Sequence, residues 1–267
     1  MPKDNELISG FFTYMGNKHD LAKWIIPYFP KHKVYAEIFG GTGSILLNKP
    51  KSQVEIYNDF NSNLSNLFHV VRTRYDEFVE QINKLVISED WHKMFYKNHS
   101  GDNELENAIR YYYVMVFTFR GKYDGGFSYI SDPSFCNKLQ RKLPELKDIH
   151  ERIKNVIILN KTCFDVVKQN NDKDTLLYLD PPYVSTEMYY ETLAGSFTET
   201  DHIKLRDLLE KHTGYFFLSY EDDELVSDLY GKFHIHRKEL LRASSKSTKY
   251  EVLITNYKPQ NTLFSIQ

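Results

Sequence analysis

The chain has 267 residues, enough for one sizeable core with a subdomain or for two small domains. It has no uninterrupted apolar stretch near the roughly 18 residues of a membrane span, a charged start (Met1-Pro2-Lys3-Asp4-Asn5-Glu6) without the apolar core of a signal peptide, and two cysteines, Cys136 and Cys163, too few for a disulfide framework or a cysteine-ligated zinc. A reducing, cytoplasmic setting is expected, and the formal net charge of −2 argues against a uniformly basic nucleic-acid binder.

Near the start, Phe12-Thr13-Tyr14-Met15-Gly16-Asn17-Lys18 carries a Gly-Asn turn signal, and alone Lys18 reads as surface charge. Lys33-Val34-Tyr35-Ala36 reads as a short strand, Ile45-Leu46-Leu47-Asn48 as a helix start, and between them lies Glu37-Ile38-Phe39-Gly40-Gly41-Thr42-Gly43-Ser44. Glycines at a strand-to-helix turn let backbone approach a ligand, and a helix N-terminus offers free N–H groups. The spacing misses the G-x-G-x-x-G of a dinucleotide pyrophosphate site. Val54–Asn58 is a second strand ending at Asp59. An acidic residue about 20 positions beyond such glycines commonly holds ribose hydroxyls; the alternative is a cap for the helix that begins near Asn61.

From Leu64 to Val86 the apolar residues Leu67, Phe68, Val71, Tyr75, Phe78, Ile82 and Leu85 recur at helical spacing. Asn103 to Phe119 reads as another helix and Gly121–Gly126 as a loop or hairpin tip. Leu139 to Lys154 is mainly helical, with Pro144 marking a break or a first turn. Asn155–Asn160 and Thr175–Leu179 are strands. Thr198-Glu199-Thr200-Asp201 resembles a capping box opening a helix to about Lys211. Tyr215–Tyr220, Lys232–Arg237 and Glu251–Tyr257 are strands. Alternation of strands and helices with two closing strands predicts an α/β fold: a mostly parallel sheet with an antiparallel edge hairpin and a helical insertion.

Asp180-Pro181-Pro182-Tyr183, directly after Thr175–Leu179, is the most informative segment. Proline has a fixed φ and no N–H, and it drives its predecessor toward extended geometry. The carbonyls of Asp180 and Pro181 are therefore held in place, and fixed acceptors beside the Tyr183 ring suit a grip on the exocyclic amine of a planar base. The plainer reading is a ladder stop with an aromatic cover. Basic residues gather at Arg110, Arg120, Lys122, Lys138, Arg141, Lys142, Arg152 and Lys154, and again at Lys232, Arg237, Lys238, Arg242, Lys246 and Lys249. Such stripes are either solvated faces or phosphate contacts, with strongly salt-dependent binding in the second case. His234 and His236 share a strand face, and without further ligands they are structural or surface residues.

Taken in order, Tyr14–Lys18, Glu37–Ser44, Asp59 and Asp180–Tyr183 resemble the motifs of the Dam-type DNA adenine-N6 methyltransferases, the α-class or D12 enzymes. Asn61 to Val79, Ser196-Phe197-Thr198 and Tyr250 to Pro259 agree, so the resemblance runs from about Phe11 to Pro259 and is weak from about Ile87 to His150. It implies a Rossmann-like S-adenosylmethionine-dependent methyltransferase, with 1–60 plus 155–267 as the catalytic and cofactor-binding domain and 61–154 as the target-recognition subdomain. It also implies that Tyr14 and Lys18 contact S-adenosylmethionine, Lys18 at its carboxylate, that Phe39 and Gly41 line the turn, and that Asp59 holds the ribose. By the same resemblance Phe164 is expected to flank the cofactor adenine, and Asp180 to lie close to both substrates. It implies further that Asp180 and the Pro181 carbonyl accept the amine hydrogens, that Pro182 completes the rigid elbow, and that Tyr183 stacks on a base flipped out of the duplex. Arg120, Lys122, Arg242 and Lys246 are the expected nucleic-acid contacts, and no metal is expected.

The segment from Phe119 to Phe127 is shorter than the family's usual recognition hairpin, so the family's target sequence is not carried over, and Tyr14 stands where a Trp is common. The partner implied is double-stranded DNA, with no membrane, with room for a cognate restriction endonuclease and with the oligomeric state open. N4-cytosine methylation, RNA methylation and a non-catalytic DNA-binding homologue are the alternatives.

Overall fold

The computed structural model describes residues 7–14, 16–98, 100–183, 197–240 and 249–259. Two compact units result, one from 1–22, 41–50 and 62–158, the other from 23–40, 51–61 and 159–267.

The second unit is built on a sheet of seven strands: β1 (Val34–Glu37), β2 (Val54–Asn58), β3 (Ile157–Leu159), β4 (Thr175–Leu179), β5 (Tyr215–Glu221), β6 (His234–Leu240) and β7 (Lys249–Thr255). The boundary between the units falls within β3. The spatial order is β3-β2-β1-β4-β5-β7-β6. β1 pairs in parallel with β2 and β4, and β4 with β5, whereas β7 is antiparallel to both β5 and β6. All five residues of β4 are buried, as a central parallel strand covered on both faces requires. On one face Ala36, Leu177, Leu179, Phe216 and Leu218 pack with Val166, Val167, Leu205 and Leu209 from helices. Elsewhere in the unit Phe29 meets Tyr35, Tyr178 and Phe217 with ring centroids 5.9, 6.1 and 5.1 Å apart. The expected mostly parallel sheet with an antiparallel edge pair is present. β6, charged at Arg237, Lys238 and Glu239, takes the edge, and the apolar Val252–Ile254 of β7 lies inside. Because β1 leads outward to β2 and β4 outward to β5, the strand order reverses between β1 and β4, where ligands of open α/β sheets bind.

The first unit is helical. Its centre is Glu104–Phe117, with Ala108, Ile109 and every residue from Tyr111 to Phe117 buried, as a helix apolar all round demands. Ser62–Thr73, Tyr75–Lys84, Glu89–Lys97 and Lys138–Ile153 accompany it. The helical pattern over Leu64–Val86 is carried by two helices, because Arg74 leaves the helical region at φ −134° and ψ 39°. Its guanidinium then bonds both oxygens of Glu77, at 2.9 and 2.5 Å. Pro144 makes no break: Lys138–Ile153 runs through it with Leu146, Ile149 and Ile153 buried, and packing outweighs the one backbone bond a proline forgoes. Among the described residues no helix is long and apolar enough to cross a membrane.

Candidate active site

At the carboxyl ends of β1 and β4 the glycine turn begins beside the elbow. Glu37 is in register with Tyr178, and the next backbone N–H, that of Ile38, donates to Tyr178 O at 3.0 Å. The first part of the turn (Phe39, Gly40) and Asp180 therefore leave neighbouring strands on the same rim. Pro181 is buried, while Asp180, Pro182 and Tyr183 are partly exposed, so the elbow keeps some access to solvent. The Tyr183 hydroxyl donates to Glu251 Oε1 at 2.8 Å and lies 3.4 Å from Asp180 Oδ1. Glu251, 4% exposed, also accepts from the Ser219 hydroxyl. Burial first, then the Asp180 and Glu251 charges, hold the Tyr183 phenol far above the ordinary tyrosine range. Burial, followed by Asp180, Glu37 and Glu251, does the same to Tyr178. Both phenols stay neutral hydrogen-bonding groups at physiological pH.

The turn is stitched to the next two strands by one buried amide. Asn58 Nδ2 donates to Ile38 O at 2.9 Å and Lys161 O at 3.1 Å, while its Oδ1 accepts from Lys161 N at 2.9 Å. Gly40 N donates to Asn58 O at 2.9 Å. Asn58 thus ties together the loops after β1, β2 and β3, and it sets where Asp59 begins. Asp59 Oδ1 accepts from Asn61 N at 2.8 Å, just ahead of Ser62–Thr73, so one carboxylate oxygen serves the helix entry. Asn160 Nδ2 holds the Asp59 and Phe60 carbonyls at 2.7 and 3.0 Å.

Phe39 and Phe164 come together through Phe197. Phe39 meets Phe197 edge-on at 5.5 Å, and Phe164 lies nearly parallel to it, at 6.2 Å and 19°. Lys204 Nζ sits 3.9 Å from the Phe164 ring centre, in cation–π range. His202 presents its ring to Phe197 at 4.7 Å and shares a 2.6 Å hydrogen bond with the Tyr220 hydroxyl.

In the first unit the Tyr14–Lys18 segment is anchored from below. Phe11 packs on Phe68 at 4.9 Å and Phe12 on Tyr111 at 5.9 Å, both phenylalanines being buried. Asn17 Oδ1 accepts from His19 N at 2.8 Å and from the Ser44 hydroxyl, joining this segment to the later part of the glycine turn. Gly41, at φ 51°, would carry a Cβ 3.7 Å from the Tyr14 ring. Lys18 is only 7% exposed, with Nζ 3.4 Å from Gly16 O. The recognition loop is a tight hairpin closed by an antiparallel bridge between Thr118 and Phe127. At its tip Arg120 is exposed at φ 56°, its guanidinium 5.0 Å from the Phe119 ring centre, while Lys122 is partly exposed. Phe119, Tyr129 and Ile130 are exposed apolar residues of the same stretch.

Arg242 and Lys246 lie outside the described residues, as does Ser196. Much of the remaining basic surface is engaged within the protein. Arg110 pairs with Glu106 at 2.5 Å, Lys142 with Glu145 and Lys154 with Glu151 at 2.7 Å, and Arg237 with Asp222 at 2.9 Å. Lys238 covers the Trp24 ring at 4.9 Å. His236 packs against Tyr28 at 5.3 Å, and no cluster of metal-ligating side chains occurs among the described residues. Three residues escaped the motif reading: Asn58, Glu251 and Phe197. The last two fall in stretches that carry the resemblance, but only their long-range partners reveal a role.

The model of the family described as D12 class N6 adenine-specific DNA methyltransferase matches residues 14–244. The DNA adenine methylase of Escherichia coli (strain K12) is 26% identical over 267 residues, spanning 93% of this chain and 95% of that protein. The Type II methyltransferase M1.LlaDCHI of Lactococcus lactis subsp. cremoris is 25% identical, with 92% and 95% covered. The Type II methyltransferase M.FokI of Planomicrobium okeanokoites is 26% identical over 96% of this chain and 44% of its own length.

Proposed function

The chain belongs to the D12 class N6 adenine-specific DNA methyltransferases, and from that premise we propose that it moves a methyl group from S-adenosylmethionine to N6 of an adenine extruded from duplex DNA at a specific site, with Asp180–Tyr183 gripping the amine. The observation that carries this reading is the half-open elbow on the strand next to the glycine turn, at the carboxyl rim where the sheet reverses order.

The residues suit such a donor. Gly40 has its Cβ position filled by the Tyr57 ring, so the turn presents bare backbone. Asp59, at the end of β2, offers a carboxylate to ribose hydroxyls, and Phe39, Phe164 and Phe197 offer faces to a purine. In the first unit, Lys18 is the cation for the donor's carboxylate, and Tyr14 and Gly41 complete its contacts. S-adenosylmethionine supplies an electrophilic methyl on a sulfonium centre.

The amine of adenine shares its lone pair with the ring and is a poor nucleophile. Asp180 Oδ and the Pro181 carbonyl accept its two hydrogens, which favours a pyramidal nitrogen and aims the lone pair out of the ring plane. Because the elbow is built on two prolines, this geometry exists before the base arrives, and positioning with fixed dipoles supplies most of the acceleration. As the C–N bond forms, the donor's S–CH3 bond would break to leave a neutral thioether; the nitrogen becomes cationic beside the Asp180 carboxylate, and its proton passes to solvent. Tyr183 flanks the base. Residues 61–154 serve as the target-recognition part, with Arg120 and Lys122 at the hairpin tip, beside the exposed Phe119, Tyr129 and Ile130, meeting bases or phosphates. A cognate restriction endonuclease and a cytoplasmic setting complete the proposal.

The test is transfer of labelled methyl to a mixed-sequence duplex, followed by digestion to nucleosides. Label in N6-methyladenine supports the reading. Label in N4-methylcytosine, or preference for structured RNA, overturns it.

A further inference from the structure

We propose that Glu251 is a positioning residue for the methyl transfer, acting through the Tyr183 hydroxyl on the Asp180–Tyr183 elbow; the inference rests on the reaction proposed above.

Glu251 stands on β7, 68 residues beyond Tyr183, and is 4% exposed. A carboxylate so placed requires donors, and the Tyr183 and Ser219 hydroxyls both supply them to Oε1. A phenol has one proton. Two carboxylates compete for it, Glu251 at 2.8 Å and Asp180 at 3.4 Å, and the shorter contact holds it. That choice has two chemical consequences. The Tyr183 ring is pinned from its far end, so its orientation beside Asp180 is set before a base arrives. The phenol proton is also kept away from Asp180 Oδ1, which must accept from the amine. Without Glu251 the same proton would turn to Asp180 and occupy the acceptor that the reaction needs. Tyr178 shares this environment: burial first, then the charges of Asp180, Glu37 and Glu251, hold its phenol neutral. Glu251 touches neither substrate in this scheme; its effect passes through Tyr183.

The experiment is a double-mutant cycle in the full chain. Methyl transfer to an adenine-containing duplex is measured for the wild type, Glu251→Gln, Tyr183→Phe and the double variant. Glu251→Gln is expected to lower kcat by about 10- to 100-fold, the range of a charge-assisted hydrogen bond. The KM values for DNA and donor should stay within about threefold. If Glu251 acts through Tyr183, the double variant is no slower than the slower single one. Wild-type kcat in Glu251→Gln, or losses that multiply in the double variant, overturns the proposal. A second readout does not depend on turnover. With 13C at the tyrosine ζ carbon, the resonance that disappears in Tyr183→Phe should shift in Glu251→Gln, and an unmoved resonance overturns the pairing. A wild type inert on adenine in every duplex sinks the reaction itself, and that result is in hand before any variant is compared.

Discussion

Gly40 lies flat against Tyr57: a Cβ built on its backbone would stand 2.2 Å from Tyr57 Cε2, and the tyrosine is completely buried. The glycine is there because the β1 turn must pass over the β2 ring, and its smallness decides where the following residues run. Gly40→Ala is therefore expected to destabilise the protein by about 1–3 kcal/mol, the range for overpacking a tight site. It should also raise the KM for the methyl donor. Denaturant titration with donor kinetics checks this, and unchanged values for both would mean that Tyr57 moves aside without cost.

The two glycines of the recognition hairpin separate strain from clash. Gly121 has φ +69° and a Cβ there would meet Thr13 O at 2.5 Å, whereas Gly126 has φ +70° and nothing within 4 Å. Gly126→Ala should cost only the left-handed backbone term, about 1–2 kcal/mol. Gly121→Ala adds a collision with backbone that cannot rotate away, so it should be clearly the more damaging and should weaken DNA binding by displacing Arg120 and Lys122. Equal melting temperatures for the two variants would contradict the packing of the hairpin on Thr13.

Asp180→Ala removes the carboxylate of the elbow while leaving both prolines, and its expected effect is loss of transfer with DNA affinity held within about a few-fold. Filter binding alongside labelled transfer measures both, and normal turnover would refute the assigned role. Asp59→Ala is expected chiefly to raise the KM for the donor. An unchanged KM would make Asp59 a structural residue at the helix entry, where its Oδ1 accepts from Asn61 N.

Two buried histidines make the second unit sensitive to acid. Burial pushes His202 and His212 from the ordinary 6.5 down to about 4. The unfolded chain therefore binds protons below pH 6.5 that the folded chain refuses until about pH 4. Their stabilising contribution is complete above 6.5 and is lost as the pH falls toward 4. Melting temperatures recorded between pH 7 and 5 should fall, and the double variant His202→Gln, His212→Gln should flatten the slope. A wild-type profile flat through this window would show that both rings are hydrated.

Much of the local structure was legible because it depends on residues close together in the chain. Thr198 accepts from Asp201 N and Asp201 answers to the Thr198 backbone, as the capping box announces. The β1, β2 and β4 segments lie within a residue of where the pattern puts them. Pattern did not mark the helix running through Pro144, where packing overrides the missing bond, or the backbone turn at Arg74 that separates two helices. Short helices such as His19–Ile25, Glu89–Lys97, Cys163–Gln169 and Glu224–Tyr230 have too few turns to show a period.

What the amino-acid order determined alone was the chemistry on offer: a proline-stiffened carboxylate elbow, a glycine turn, an acidic strand end and a lysine near the start, each legible because backbone restriction is a local property of proline and glycine. Which of these meet was decided by the tertiary structure. Ile38 reaches Tyr178 because β1 and β4 are neighbours, and Tyr183 reaches Glu251 because β7 folds back between β5 and β6. Much of the basic surface is likewise neutralised by acids a turn away or covers aromatic rings. Strand order follows from burying the apolar faces of the whole chain together, so no local window of residues contains it.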